Sequence, residues 1–237
     1  MSAEVSVVLP TFEERDNIGP LIEGVDASVK GLLEIIVVDD DSPDGTWRVA
    51  EGMRERFPRL QVIRRTHERG LTSAIRDGIR ASRGSVVVWM DCDLSMRPCD
   101  IPKLVDAVLQ GSDVAVGSRF VPGGRDIRDV RLHRLLSRLI CAFGYAVLGR
   151  RTVRDCTSGF IALRREVVEN FSFDTDYGEY FLPLIAHARA QGFAITEVPY
   201  TLHPRASGYS KTATHPFDFL VKGRKYVWQI LRLRFGG

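Results

Sequence analysis

The 237-residue sequence has no apolar run long enough to cross a bilayer. Its longest nearly apolar stretch, Leu139 to Gly149, is about half the roughly 20 residues that a spanning helix needs. The opening MSAEVSVVLP lacks a basic start followed by an apolar stretch, so no signal peptide is expected. Cysteine is sparse, at 92, 99, 141 and 156, with no CxxC pair and no His/Cys cluster at zinc-ligand spacing. His67, His133, His187, His203 and His215 form no metal set either. This pattern predicts reduced thiols and a cytosolic chain. An excess of one charge is also missing. Lys+Arg 33 against Asp+Glu 30 leaves +3, which is too mild for a dedicated duplex-DNA binder, and no nucleic acid partner is expected. Internal repeats, low-complexity tracts and flexible linkers are absent, so a single domain is expected.

What is present is ordinary for a soluble globular chain: 44% hydrophobic and 27% charged residues. At this length folding buries roughly 72% of the unfolded chain's surface, enough for a core without disulfide or metal staples. Val5 to Pro10, Leu33 to Asp39, Val86 to Asp91 and Asp113 to Gly117 read as buried strands. Ile18, Leu21, Ile22, Val25 and Val29 recur at helical spacing. Further helices are expected over Thr46 to Phe57, over Leu71 to Ala81, and from an N-cap at Asp100 with Pro102 in the first turn and Gly111 past the end. Alternating strands and helices predict an α/β fold with a mainly parallel sheet, whose ligands gather at the carboxyl ends of the strands.

Those ends read Pro10-Thr11-Phe12-Glu13-Glu14, Asp39-Asp40-Asp41-Ser42, Asp91-Cys92-Asp93 and Gly117-Ser118-Arg119. Neighbouring acid clusters repel unless a cation or hydrogen-bond donors lie between them. Asp91 and Asp93, one residue apart, suit a hard divalent cation that also binds phosphate oxygens, although a polar turn explains so short a match as well. In Val37 to Thr46, Asp40 is expected to face a ligand while Ser42-Pro43-Asp44-Gly45 makes the turn. Cys92 fills a small gap between the carboxylates. The second half is basic. Between Arg119 and Arg154 nine arginines face only Asp126 and Asp129, with Leu132, Leu135, Leu136, Leu139, Ile140 and Phe143 at helical spacing among them. The C-terminal stretch again interleaves aromatic and aliphatic residues with Lys222, Arg224, Lys225, Arg232 and Arg234, which suits an interfacial helix on anionic lipid.

Taken in order, PTFEERDN at 10–17, VVDDDSPDGT at 37–46, RTHERGLTSAIRDGI at 65–79, MDCDLSMRP at 90–98, GSRF at 117–120, DCTSGF at 155–160 and RASGYSK at 205–211 resemble the family 2 glycosyltransferases. The likeness is closest to the polyprenol-phosphate (dolichol-phosphate) mannose synthases and covers about residues 4–213. It implies a GT-A, Rossmann-like fold in one domain over 1–237: a nucleotide-sugar half at 1–118, an acceptor half at 119–213 and an amphipathic membrane-surface segment at 214–237. It implies transfer of mannose from GDP-mannose to a polyprenyl or dolichyl phosphate, with inversion. By position, Pro10, Phe12, Glu14, Val38, Asp40, Asp91, Cys92 and Asp93 would contact the nucleotide sugar. Asp91, Asp93 and Arg119 would serve catalysis. Asp93 and Asp91, with Ser95 as a weaker ligand, would hold a divalent cation such as Mg²⁺ or Mn²⁺. Arg119, Arg134, Ser137, Arg205 and Lys211 would bind phosphate.

The sequence departs from the family's pattern at three places. Phe12 stands for a usual tyrosine, which keeps stacking and loses a hydroxyl. His133 stands where many members have arginine, with Arg134 beside it as a substitute. Tyr177-Gly178-Glu179-Tyr180-Phe181 stands for GYxFQxE, so Glu179 is an acceptor-side carboxylate or part of a solvated face. The resemblance also implies a peripheral location on the cytoplasmic face of a membrane, alone or with a membrane-anchoring partner protein. Three alternatives stay open: a glucosyl or N-acetylglucosaminyl transferase using a UDP-sugar, a sugar-1-phosphate nucleotidyltransferase, and a non-catalytic, nucleotide-sugar-dependent membrane adaptor. The nucleotidyltransferase is disfavoured by the lack of a Gly-rich loop after the first strand.

Overall fold

A computed structural model describes residues 4–149, 152–173, 178–208 and 216–236, with residues 216–222 described by their backbone. In chain order the elements are β1 (Val5–Thr11), α1 (Arg15–Ser28), β2 (Leu32–Asp39), α2 (Thr46–Gly52), β3 (Leu60–Arg64), α3 (Leu71–Ala81), β4 (Val86–Trp89) and α4 (Ile101–Leu109). They continue with β5 (Val114–Ser118), β6 (Arg125–Asp126), α5 (Arg131–Leu148), β7 (Ile161–Arg164), α6 (Glu166–Glu169), α7 (Phe181–Ala190), β8 (Ile195–Pro199), β9 (Thr201–Leu202) and α8 (Pro216–Phe235).

Every residue of β1 is buried. A strand covered on both faces must be apolar throughout, and β1, β2 and β4 are valine- and isoleucine-rich for that reason. Side chains alternate between two layers. Val5, Val7 and Leu9 pack with Ile18, Leu21 and Val25 of α1 and Leu104 of α4. Val8, Ile36 and Val38 pack with Ala74, Ile75 and Ile79 of α3 and Ile185 of α7. Helix α3 lies close because Gly78 has no side chain: a Cβ there would sit 2.3 Å from Val8 Cγ1.

The seven strands of the main sheet run β3-β2-β1-β4-β7-β5-β8. Pairings are parallel except those of β7, which is antiparallel to both β4 and β5. The mainly parallel sheet expected from the alternation is therefore present, with one reversed strand inside it. That reversal decides where the site forms. Trp89 and Val116 both pair with Ile161, so the start of β7 lies at the edge where β4 and β5 end. The loop ahead of β7 thus joins the carboxyl ends of β1, β2, β4 and β5.

Asp100 is the N-cap residue of α4 as expected, at the end of a 3₁₀ turn, Pro98–Asp100; it makes no side-chain cap bond, and its carboxylate accepts from Lys103 Nζ at 2.6 Å. One local expectation changes. Helix α2 stops at Gly52, short of Phe57. Among the described residues no helix is long and apolar enough to cross a membrane.

Candidate active site

The triple aspartate after β2 divides its labour. Asp39 is fully buried and structural: it accepts from Thr11 Oγ1 at 2.7 Å and from the Ser42 backbone N–H and hydroxyl at 2.8 and 2.6 Å. Asp40 accepts from Arg65 Nε at 2.8 Å and from the Gly70 backbone N–H at 2.7 Å, and Arg65 Nη2 adds a second bond. Burial raises the Asp40 pKa, and these donors offset part of the rise. Asp41 pairs with Arg64 at the surface. Val38 is wholly buried in the core and offers no surface to a ligand.

Beside this edge opens a cavity of about 1320 Å³. Pro10, Phe12, Glu14, Asp91, Cys92, Asp93 and Ser95 form its polar end. Cys92 is buried between the two carboxylates, its Sγ 3.2 Å from the Pro10 carbonyl. Asp93 Oδ1 accepts from the Ser95 backbone N–H and hydroxyl at 2.9 and 2.5 Å, and Oδ2 pairs with Arg205 at 3.1 Å. Arg205 also pairs with Glu14 at 2.7 Å, and Asn17 Nδ2 donates to the other Glu14 oxygen at 2.7 Å. Asp91 sits against Gly159, where a Cβ would come within 3.1 Å of its Oδ1. Burial, then the Asp93 charge, push the Asp91 pKa up to about 7, against the pull of Arg205.

The opposite wall belongs to Arg119, at the end of β5. Its Nε and Nη2 donate to the two oxygens of Asp155 at 2.7 and 2.6 Å, and its backbone N–H to Asp155 at 2.9 Å. Thr157 Oγ1 accepts from Nη2 at 2.6 Å, and Asp126 lies 3.4 Å from Nη1. Asp126 is shared with Arg128, whose Nη2 lies 2.6 Å from it and also donates to Ser137 at 3.2 Å. His133 lines the cavity, and burial, with the nearby Arg128 charge, lowers its pKa. Beyond these groups the wall becomes apolar: Leu132, Leu136, Leu139, Ile140 and Phe143 of α5 face the space that Tyr226 and Val227 of α8 also border.

Of the residues expected at the site, Pro10, Phe12, Glu14, Asp91, Cys92, Asp93, Ser95, Arg119, Ser137 and Arg205 line one cavity. Val38 and Asp40 lie outside its wall, and Arg134 is turned away, donating to the Arg128 carbonyl at 2.7 Å. Lys211 lies outside the described residues. Glu179 is buried, with Oε1 3.8 Å from Lys225 Nζ and Oε2 unpartnered among the described residues. Sequence reasoning missed Arg65, Arg128, Asp126 and Asp155 as the partners that hold this edge. DCTSGF and the arginine-rich stretch were visible signals, without any indication of whom they pair with.

Among the described residues no three His, Cys, Asp or Glu side chains converge as a metal cage. The donor set still fits a hard divalent cation that keeps other oxygen ligands. The Asp93 charge adds to burial in raising the proton affinity of Asp91, a repulsion that a cation relieves.

The family model described as glycosyl transferase family 2 matches residues 6–171. The chain is 40% identical over 210 residues to a dolichol-phosphate mannosyltransferase of Pyrococcus furiosus, covering 88% of this chain and 59% of that relative's length. It is 39% identical over 213 residues to the polyprenol monophosphomannose synthase of Mycolicibacterium smegmatis, covering 86% and 79%. It is 32% identical over 222 residues to the dolichol-phosphate mannosyltransferase of Saccharomyces cerevisiae, covering 89% and 82%. A crystal structure of glucosyl-3-phosphoglycerate synthase from Mycobacterium tuberculosis, with Mn²⁺, UDP and glucosyl-3-phosphoglycerate, matches with a TM-score of 0.74 at 23% identity. That match covers 98% of this chain and 80% of the other. The sheet with its flanking helices is the GT-A arrangement.

The raised Asp91 pKa has a stability consequence. A folded-state value near 7, against 3.8 unfolded, means that the folded protein holds this proton better. The stabilisation is full below about pH 4 and is lost as pH rises through about 7. The difference is on the order of 4–5 kcal/mol. Asp91→Asn is therefore expected to melt at a higher temperature than wild type at pH 8, with the gap closing toward pH 4.5. Melting curves at both pH values check this; a gap independent of pH would contradict it.

Proposed function

The chain belongs to glycosyl transferase family 2, and from that premise we propose that it transfers mannose from GDP-mannose to a polyprenyl monophosphate at a membrane surface. The observation that carries the reading is the two-ended cavity. An acidic, cation-suited end at the strand edge runs through fixed arginines into an apolar groove along α5. A nucleotide sugar suits the first end, an isoprenoid chain the second, and a lipid phosphate the arginines between. The names of the relatives from P. furiosus, M. smegmatis and S. cerevisiae support the same reading.

In this reading Phe12 stacks on the base, helped by Arg69, whose guanidinium lies 5.5 Å from the ring centroid. Glu14 and Asp40 take part through the partners that fix them. Asp91 and Asp93 hold a divalent cation, Mg²⁺ or Mn²⁺, which when bound neutralises the departing diphosphate as a Lewis acid. A phosphomonoester has its second pKa at about 6, so the acceptor is largely a dianion at neutral pH and needs no general base. His133, kept neutral, does not have to supply one. Arg119, Arg128, Ser137, Arg205 and Lys211 hold the acceptor phosphate so that one oxygen lies in line with the sugar C1. That oxygen forms the new bond to C1 as the bond from C1 to the diphosphate oxygen breaks, and GDP departs. A single displacement converts an α-linked donor into a β-linked product.

Peripheral attachment on the cytoplasmic face fits the exposed residues of α5 and α8. Leu132, Leu135 and Leu139 are each more than half exposed, and Trp228 is 67% exposed. Arg131, Arg134 and Arg138 are interleaved with the leucines. Apolar residues that insert and arginines that meet anionic headgroups act together. The attachment surface is thus assigned to α5 as much as to the C-terminal segment.

Two experiments test this. With short polyprenyl phosphates, labelled GDP-mannose is expected to give mannosyl lipid while UDP-glucose gives none. Asp93→Asn is expected to lower turnover by about 100-fold or more, the scale of losing one main transition-state charge partner. Glucosyl lipid from UDP-glucose, or full activity of Asp93→Asn in chelator, would refute the reading. For attachment, Leu135→Ser with Trp228→Ser is expected to weaken binding to anionic vesicles by roughly tenfold or more, since each buried large apolar side chain contributes about 1.5–3 kcal/mol. Vesicle flotation unchanged by the pair of substitutions would remove these helices from the interface.

A further inference from the structure

Arg205 is the described guanidinium that meets the acidic end of the cavity. It bridges Glu14 at 2.7 Å and Asp93 at 3.1 Å, and its charge acts on Asp91 as well. Of the other arginines that line the cavity, Arg119 is paired with Asp155 and Arg128 with Asp126, and Arg224 lies on α8. The segment carrying Arg205 is tied down beside it. Ala206 N–H donates to the Asp93 carbonyl at 3.1 Å, and Asn17 Nδ2 donates to the Ser207 carbonyl at 3.2 Å. Asn17 also donates to Glu14 at 2.7 Å, so Glu14 is fixed from both sides.

Asp93 has little capacity left in this state. Ser95 takes Oδ1 through two hydrogen bonds, and Arg205 faces Oδ2. A second positive charge placed on Oδ2 would lie within a few ångströms of the guanidinium, in a cavity only partly open to water.

We infer that Arg205 is the internal counter-cation of this acidic end and that it competes with the divalent cation for Asp93. The inference rests on the proposed reading that Asp91 and Asp93 hold that cation. Arg205 and the cation exclude one another at Oδ2, so cation binding frees the guanidinium from Asp93 while Glu14 still holds it as a pivot. The freed fork then turns to a phosphate group, for which its planar geometry is suited. Arg205 therefore couples the two events: it opposes the cation when no phosphate is present and relinquishes Asp93 when a phosphate is there to receive it. By linkage, cation and phosphate each strengthen the other's binding through this one side chain.

The test is Mn²⁺ titration of the full chain, read as free Mn²⁺ by electron paramagnetic resonance, with and without inorganic pyrophosphate. Arg205→Ala is expected to bind Mn²⁺ alone roughly fivefold or more tighter than wild type, the lower range of ordinary coupling between sites. Pyrophosphate is expected to tighten Mn²⁺ binding more in wild type than in Arg205→Ala. Arg205→Gln, close in length and uncharged, is expected to follow the alanine variant, and Arg205→Lys to stay nearer wild type; their melting curves report folding. Equal or weaker Mn²⁺ binding in both uncharged variants overturns the competition. No Mn²⁺ binding by wild type or variants, even with pyrophosphate, overturns the cation reading and the inference together. Loss of binding in Asp93→Asn, with the expected order among the Arg205 variants, supports both.

Discussion

The site hangs on one buried ion pair, Arg119 with Asp155. Its two parallel hydrogen bonds join residues 36 apart in sequence, from the end of β5 to the loop before β7. Arg119 and Asp155 are almost wholly buried. A buried pair need not add net stability, but breaking one by removing a partner costs about 3–5 kcal/mol because a charge is left behind. Here the pair fixes the loop whose Gly159 backs onto Asp91, and it presents the arginine to the cavity in one orientation. Cys141 of α5 lies 3.8 Å from the same carboxylate, so the apolar helix is referenced to the same point.

The same device recurs around the edge. Arg65 is held by Asp40, Arg128 by Asp126 and Arg205 by Glu14 and Asp93. Each of these guanidinium groups is thus held on a carboxylate. Unpaired arginines so buried would be costly to desolvate, and unpaired carboxylates would take up protons, as Asp91 begins to do. Paired, each guanidinium is oriented before a ligand arrives, and little rearrangement remains for the reacting state.

How much of this was legible in the sequence follows from the range of the interactions involved. Strands β1, β2, β4 and β5 showed as apolar runs, and α1 and α3 by their helical period, because those signals lie within a few residues. β7, with only Ile161 to Arg164, is too short to stand out, and β8 is a half-exposed edge strand with Glu197 in its middle. Their absence from the sequence reading hid the reversed strand and the entry of the 155–159 loop. The acids at the strand ends were readable as a group. Which of them were already taken was not: Arg65 reaches Asp40 across 25 positions, and Arg205 reaches Glu14 across 191. Val38 shows the limit of carrying a role over by position, since its place at a strand end says nothing of the face it takes. Arg134 shows the same limit on a helix, where the neighbouring His133 takes the cavity side.

On the proposed reading, the enzyme positions two anionic groups and lets a phosphate oxygen attack directly. In that reading pre-oriented arginines and a cation-suited carboxylate pair serve one displacement, without a covalent intermediate. The anomeric configuration of the product tests that account most directly. Nuclear magnetic resonance of the mannosyl lipid made from α-linked GDP-mannose, read through the one-bond coupling between C1 and its hydrogen, is expected to show β-mannosyl phosphate alone. An α-linked product would contradict the single displacement and require a second nucleophile in the cavity.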